Sequence, residues 1–363
     1  MRKSGRPTRL PGFDSRYLPE NLVNVWDVPD FKFIIWETAM TAELNRRNFI
    51  KVSAQGAAAA GLAGVAGKMN LPVFAVDAQQ KENPAAWITS LITDYVSKSP
   101  SNSIRNSENE KAWAEPLVGF SRGDDSIFQL YKNKENIGPF HWTPLEIFNL
   151  TFPEIPAKPE ELCVIAWVLP HTESIKADLR KQKTTPSEKW IRARIYGEEF
   201  NEELRKDVAE TLTKAGYSAV APTLSKSFKM GNSEKYGMAS SWSERHAAYA
   251  SGLGTFGLCD GLITPKGKAV RVGSIVAKVP VIATPRPYQD HHAYCLHFAK
   301  GTCGMCVTRC PAGAISKESG HNKATCAKQC NATADYAGKE LGLKGYGCGF
   351  CQTGVPCESR IPV

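Results

Sequence analysis

Apolar residues along residues 83–221 recur with the spacings of two helices and two strands. Asn83 and Pro84 favour a helix start, and the apolar positions that follow lie on one helical face: Trp87, Leu91, Ile92, Tyr95 and Val96. A second helix is predicted over 200–215, where apolar residues recur every four positions: Phe200, Leu204, Val208 and Leu212. The unbroken apolar run at 162–169 predicts a buried strand, and residues 218–221 predict a further strand.

A hairpin is predicted farther along the chain. Residues 262–264 and 270–276 are strand-like, and Pro265-Lys266-Gly267 between them is a typical turn sequence. No internal repeat is visible. The pattern as a whole predicts an α+β fold with a mixed core, followed by a small cysteine-rich domain.

The cysteines are distributed very unevenly. Nine of the eleven lie in residues 291–363, at spacings typical of metal ligands. A C-x2-C pair presents two thiolates to one iron–sulfur cluster, and the Cys310-Pro311 ending is typical of a chain that turns toward a second cluster. Two zinc sites or a disulfide mesh are the alternatives, and the cross-ligating spacing favours two [4Fe–4S] clusters.

One ligand of the usual run is missing. In C-x2-C-x2-C-x3-C-P the first cysteine would fall at Lys300, and Cys295 is the nearest replacement. We therefore assign two sets of ligands. The first cluster receives Cys295, Cys303, Cys306 and Cys357, and the second receives Cys310, Cys326, Cys348 and Cys351. Cys330 is spare or replaces Cys326, and the isolated Cys163 and Cys259 are expected to be packing residues.

An export signal precedes the globular part. Arg46 and Arg47, followed by Phe49, open a stretch rich in alanine and glycine that runs to residue 67, and small residues at 76–78 offer a cleavage site. This layout is typical of twin-arginine export, which carries folded proteins with their cofactors inserted. We predict a location in the periplasm or on the outer face of the cytoplasmic membrane. Met40 is a possible native start.

These features divide the chain into four segments. Residues 1–39 are an upstream extension or long leader, 40–78 the signal peptide, 79–290 the main α/β domain and 291–363 the two-cluster domain.

The net charge is +9, and residues 291–363 hold eight basic and four acidic side chains, hence +4. No basic stripe with interleaved aromatic residues appears, so no nucleic-acid partner is expected. The excess of basic side chains in residues 291–363 would attract an acidic electron donor. An ordinary solvated surface explains this excess equally well.

A family resemblance extends from about residue 115 to the C-terminus. The stretches 242–257, 261–265 and 346–352 resemble those of epoxyqueuosine reductases and reductive dehalogenases, which are corrinoid-dependent iron–sulfur reductases. The resemblance implies a nitroreductase-like core and a ferredoxin-like cluster domain. It also implies a cobalamin, with contacts from these residues: Arg245, His246, Gly252, Gly254, Gly257, Leu262 and Ile263. The export signal is similar to that of the dehalogenases.

The resemblance also implies a proton donor. Glu199 lies where the epoxyqueuosine reductases place an acid, and Tyr196 is the rival because the dehalogenases use a tyrosine. The acidic residues at 198, 199, 202 and 203 equally suit a solvated helix start.

Three functions stay open: an exported corrinoid and iron–sulfur reductase of a small organic substrate, an electron-transfer protein without corrinoid, and an enzyme resembling epoxyqueuosine reductase. A low-potential donor is expected, such as a ferredoxin, a flavodoxin or a membrane donor, with a membrane-anchor protein as a further possible partner.

Overall fold

The computed structural model describes residues 82–363. The extension and export signal predicted for residues 1–78 lie outside the described residues. Among the described helices, none is both long and apolar enough to cross a membrane.

Nine α-helices and ten strands are the main elements of the described part of the chain. The helices are α1 (Pro84–Lys98), α2 (Ile127–Tyr131), α3 (Pro144–Thr151), α4 (Glu173–Arg180), α5 (Glu188–Lys214), α6 (Glu244–Ala250), α7 (Leu296–Lys300), α8 (Met305–Arg309) and α9 (Lys323–Leu341). The strands are β1 (Leu117–Arg122), β2 (Cys163–Pro170), β3 (Ala219–Val220), β4 (Met230–Ser233), β5 (Gly237–Ser240), β6 (Thr255–Phe256), β7 (Leu262–Ile263), β8 (Val270–Ala277), β9 (Ile315–Ser316) and β10 (Gly320–His321). The predicted mixed α+β class is confirmed.

A four-stranded antiparallel sheet forms the centre of the core, in the order β1-β2-β8-β3. All eight residues of β2 are buried, as the apolar run at 162–169 predicted. Because side chains alternate across a strand, Trp167 and its alternate neighbours pack with α1 and α5 on one face. Val164, Ala166 and Val168 pack on the other, where α3 and α6 contribute side chains.

Helices α1 and α5 cover the first face of this sheet. Asn83 caps α1 as expected, since its Oδ1 accepts a hydrogen bond of 3.1 Å from the amide of Ala86. Helix α5 begins twelve residues earlier than predicted, because Ser187 caps it and Trp190 is already buried. Residues 198–203 therefore lie in the middle of a 27-residue helix, so the prediction that they form a helix start is wrong.

The predicted hairpin does not form. Strand β7 pairs with β6, and β8 pairs with β2 and β3. Only the turn is retained, as a bridge between Thr264 and Gly267. The C-terminal segment separates the two strands: the amide of Lys268 donates to the carbonyl of Cys357 at 2.8 Å, and a side chain at Gly267 would overlap the backbone of Glu358.

Residues 291–363 dock on helices α4 and α5. The guanidinium of Arg309 donates to the carbonyl of Leu179 in α4 at 3.3 Å and to the carbonyl of Gln182, just after that helix, at 2.8 Å. Gly349 has φ +127°, and a Cβ there would overlap the ring of Trp190. Since only glycine allows this approach, the loop that carries Cys348 and Cys351 lies directly against α5.

Candidate iron–sulfur site

Four cysteines border one cavity between the core and the C-terminal region. They come from separate places: Cys295 precedes α7, Cys303 precedes α8, Cys306 lies in α8, and Cys357 follows the turn at Phe350–Gln352. The empty volume is about 360 Å³ and includes space open to solvent. These four thiols, called the first cysteine group, are the set expected from the sequence for the first cluster.

The second cysteine group comprises Cys310, Cys326, Cys330 and Cys348. Cys326 and Cys330 are one turn apart on α9, so both thiols lie on the same helix face. Their contact raises the pKa of Cys326 and lowers that of Cys330. Cys310 and Cys348 are close enough to influence Cys330 as well. The structure thus places Cys330, which the sequence left as a spare or a substitute, inside this group.

Cys351 lies between the two groups. Its thiol contacts Cys259, and this contact raises the pKa of Cys351 well above the ordinary value. Cys348, with which it forms a C-x2-C pair, is also near. The sequence assigned Cys351 to the second cluster, and the structure brings it toward the thiols of both groups.

Cys259 belongs to the cysteine site, although sequence reasoning treated it as a packing residue. It is buried, and contacts with Cys306 and Cys351 lower its pKa well below the ordinary value. Its position in an apolar segment far from the other cysteines carried no signal for this role. Cys163, in contrast, packs in the core among Ile165 and other apolar side chains.

A buried lysine reaches the same site. Lys268 is 3% exposed, and its Nζ lies 3.0 Å from Sγ of Cys259. Burial lowers the pKa of Lys268, but the nearby sulfur of Cys259, together with the sulfurs of Cys357, Cys351 and Cys306, outweighs this effect and raises it well above the ordinary value. The ammonium therefore stays charged and offsets negative charge within the site.

The donor set fits iron–sulfur chemistry. A cubane cluster needs one thiolate for each iron, and the first group offers four thiols around one cavity. Leu258, Ile263 and Val355 contribute apolar surface to its wall. Within residues 82–363, no three His, Cys, Asp or Glu side chains are arranged to hold a single metal ion.

The glycines expected to contact a corrinoid are used for close backbone packing. Gly252 has φ +79°, and a Cβ there would lie 2.6 Å from the carbonyl oxygen of Pro285. A Cβ at Gly254 would overlap the carbonyl of Ile263, and one at Gly257 would lie 3.3 Å from the Ile263 side chain.

The other residues expected to contact a corrinoid also form contacts within the protein. Leu262 and Ile263 are 2% and 0% exposed. The ring of His246 packs between Tyr131 and Phe256, and its Nδ1 lies 2.7 Å from the hydroxyl of Ser243. Arg245 is exposed and donates to the carbonyl of Asp260. These residues fit a packing role and do not fit the wall of a large cofactor pocket.

The two candidate proton donors lie on the outer side of α5. The carboxylate of Glu199 pairs with Arg105 at 2.7 Å, and both side chains are close to half exposed, at 46% and 49%. The guanidinium of Arg105 covers the ring of Tyr196 at 4.4 Å. Tyr196 also packs beside Ala337 of α9, the helix that carries Cys326 and Cys330.

Glu198 has a different environment from its neighbour Glu199. Its carboxylate lies 2.5 Å from Arg271 and 3.2 Å from Arg205. Burial raises the pKa of Glu198, but Arg271, Arg205 and Arg194 lower it to about 2. Arg194 also donates to the hydroxyl of Tyr346 at 2.8 Å. Glu198 is therefore an ionised residue in a network that links α5 to the C-terminal region, and it has no proton to donate near neutral pH.

No protein-family model matches this sequence, and no curated protein matches it. Among solved structures, it is similar to epoxyqueuosine reductase from Bacillus subtilis, with 18% identity over 75% of this chain and 66% of that chain and a TM-score of 0.38. It is also similar to an epoxyqueuosine reductase solved with a tRNA-Tyr stem loop, with 18% identity, the same coverages and a TM-score of 0.39. A catabolic reductive dehalogenase matches at 14% identity over 68% of this chain and 30% of that chain, with a TM-score of 0.41.

These neighbours belong to the two families that the sequence resembles, as predicted. The chain spans 66% of the length of the first of these epoxyqueuosine reductases. Identities below 20% and TM-scores below 0.5 assign no activity to this chain. Only the residues of the site therefore indicate a function for this chain.

Proposed function

We propose that this protein is an iron–sulfur oxidoreductase that passes electrons through two [4Fe–4S] clusters to a small organic substrate. The observation that carries the proposal is the convergence of four thiols and a buried lysine on one cavity, with four further thiols nearby. Thiolates in this number and arrangement are the usual ligands of such clusters. The finer fold proposal is a nitroreductase-like core with a ferredoxin-like cluster domain.

The side chains of the site have separable tasks in this proposal. The first group, Cys295, Cys303, Cys306 and Cys357, would hold one cluster. Cys310, Cys348, Cys351 and either Cys326 or Cys330 would hold the other. When bound, the clusters supply one-electron transfer. The apolar wall around the cavity limits the access of water, which lowers the potential of a buried cluster and protects it.

A corrinoid is the second cofactor implied by the sequence resemblance, which makes a reductive dehalogenase-like activity the finer form of the proposal. Since the residues expected to contact it form packing and hydrogen-bond contacts within the protein, no step of the mechanism is derived through a corrinoid. The packing of Gly254 and Ile263 favours the alternative function, an electron-transfer protein that works without one.

The setting of the protein is part of the proposal. Twin-arginine export would place it in the periplasm or on the outer face of the cytoplasmic membrane, where a low-potential donor delivers electrons. The basic excess of residues 291–363 would favour an acidic donor surface.

Anaerobic reconstitution of the full chain with iron and sulfide, with and without cobalamin, tests the proposal. We expect about eight iron atoms per chain, because each of the two clusters holds four, together with broad visible absorption and electron paramagnetic resonance signals of reduced [4Fe–4S] clusters. Cys306→Ala should lose the first cluster, and Cys163→Ala is the matched control because it removes a cysteine of the core. Zinc in place of iron would overturn the proposal. Clusters without corrinoid bands would select the electron-transfer alternative.

A further test concerns the proton donor. If Glu199 supplies the proton, Glu199→Gln abolishes turnover and leaves iron content unchanged. Tyr196→Phe should then retain activity. The reverse pattern would assign the role to Tyr196, and full activity of both variants would exclude the pair.

A further inference from the structure

Lys268 is held in place at both ends of its side chain. Its backbone amide donates to the carbonyls of Cys357 at 2.8 Å and Glu358 at 3.1 Å, immediately before β8. Its aliphatic stem lies along the backbone at Gly261, where an added Cβ would be 2.7 Å from Cδ of Lys268. Only the ammonium group at the end of the side chain is left to interact with the cysteines. The contacts of the backbone and the stem set its direction.

The ammonium lies among Cys259, Cys351 and thiols of the first cysteine group. Nζ is 3.0 Å from Sγ of Cys259, which in turn contacts Cys306 and Cys351. Lys268 borders the cavity lined by the first group. By the sequence assignment Cys306 belongs to the first cluster and Cys351 to the second, so this charge lies close to ligands of both.

Burial of an ammonium is costly unless negative charge compensates it. Lys268 is 3% exposed, and no carboxylate forms a salt bridge with it among the described residues. The compensating charge therefore comes from sulfur. A cluster with four thiolate ligands carries net negative charge, and its reduction adds one more electron to the same region.

We propose that Lys268 is a fixed counter-charge shared by the two clusters, which raises the reduction potential of both and of the first cluster most. This inference depends on the proposed iron–sulfur function. The physical reason is that a nearby positive charge stabilises the reduced form of a cluster more than its oxidised form, and low exposure to water strengthens the effect. Cys259 acts as a positioning residue, because its sulfur accepts the hydrogen bond that holds the ammonium between the clusters.

Redox titration of the reconstituted full chain, followed by electron paramagnetic resonance, tests this role. Lys268→Met removes the charge, Lys268→Arg retains it, and Lys268→Gln replaces it with a neutral donor. Lys317→Met is the matched control, since Lys317 is exposed and borders the open cleft beside Cys303. The neutral variants at 268 should shift both midpoint potentials to more negative values, with the larger shift at the first cluster. Lys268→Arg and Lys317→Met should remain near the wild-type values.

The outcomes separate the counter-charge from the proposed function. Wild-type protein that holds no iron overturns the proposed function itself. Wild-type protein with two clusters, together with unchanged potentials in Lys268→Met, overturns the role of Lys268 alone. If both neutral variants fail to bind iron while Lys268→Arg binds it normally, the need for the charge is supported. If Lys268→Arg also fails to bind iron, the site requires the shape of the lysine side chain, and the role of Lys268 as a counter-charge is overturned.

Discussion

The sheet core and the cysteine-rich C-terminal region are stabilised in different ways. In the core, every residue of β2 is buried, and apolar side chains cover both faces of the sheet. In residues 291–363 the buried apolar side chains are few: Cys295, Cys306, Ala314, Ile315, Ala337, Leu343, Phe350 and Val355. Two of these are themselves proposed metal ligands. We therefore expect burial to be sufficient to fold the core, and the C-terminal region to depend on metal ligation and on its contacts with α4 and α5.

Removal of metal is the largest expected effect, and it tests this difference directly. Without iron and sulfide, the free energy that ligation contributes to the C-terminal region is lost. We expect amide exchange in residues 291–363 to become fast while β1, β2 and β8 stay protected. Hydrogen exchange with mass spectrometry, on protein prepared with and without clusters, measures both regions at once. Equal protection of the two regions in metal-free protein would remove the distinction.

Truncation in the core should be the next largest effect. Trp167 is 0% exposed, and its indole N–H donates to Asn201 at 2.9 Å. Trp167→Ala should lower the free energy of unfolding by about 3–5 kcal/mol, from lost burial and the cavity left behind. Denaturant unfolding measures it, and Leu150→Ala is the control because Leu150 is 55% exposed. A change below about 1 kcal/mol at Trp167 would contradict the view that burial alone folds the core.

Buried charge in the core provides a third comparison. Arg205 is 3% exposed and pairs with Glu198 at 3.2 Å and Glu244 at 3.0 Å. Arg205→Met leaves two partly enclosed carboxylates without this partner and should destabilise the protein by about 3 kcal/mol. Arg122→Met breaks an exposed pair with Asp124 and should destabilise the protein much less. Similar losses for the two variants, measured by chemical denaturation, would contradict the importance of burial for this network.

Near neutral pH, the smallest predicted effect is a pH dependence that arises in the core. The ring of His171 packs between Trp113 and Trp190, and burial lowers the pKa of His171 to about 3. Its unfolded pKa is about 6.5, so the unfolded chain binds more protons between these values. Stability should fall as pH decreases from about 6.5 toward 3. His171→Phe should flatten this part of the curve of unfolding free energy against pH, and an unchanged slope would assign the dependence to other groups.

Local sequence patterns predicted several elements correctly. Asn83 and the apolar face after it defined α1, and the unbroken run at 162–169 defined β2, because each pattern depends on side chains close in sequence. The cysteine spacings also selected the four thiols that border one cavity. The export signal at residues 40–78 stays a prediction.

The tertiary structure alone decided which distant residues meet. The pairing of β8 with β2, rather than with β7, depends on the C-terminal segment that contacts Lys268. The different environments of Glu198 and Glu199 depend on which side of α5 faces Arg271 and Arg205. Cys259 and Lys268 join the cysteine site through contacts far apart in sequence. The sequence by itself determined α1, β2 and the thiol character of the site, because these depend on local periodicity and residue type. The buried charge at the cysteine site was decided only by packing, because no local pattern records a contact between distant segments.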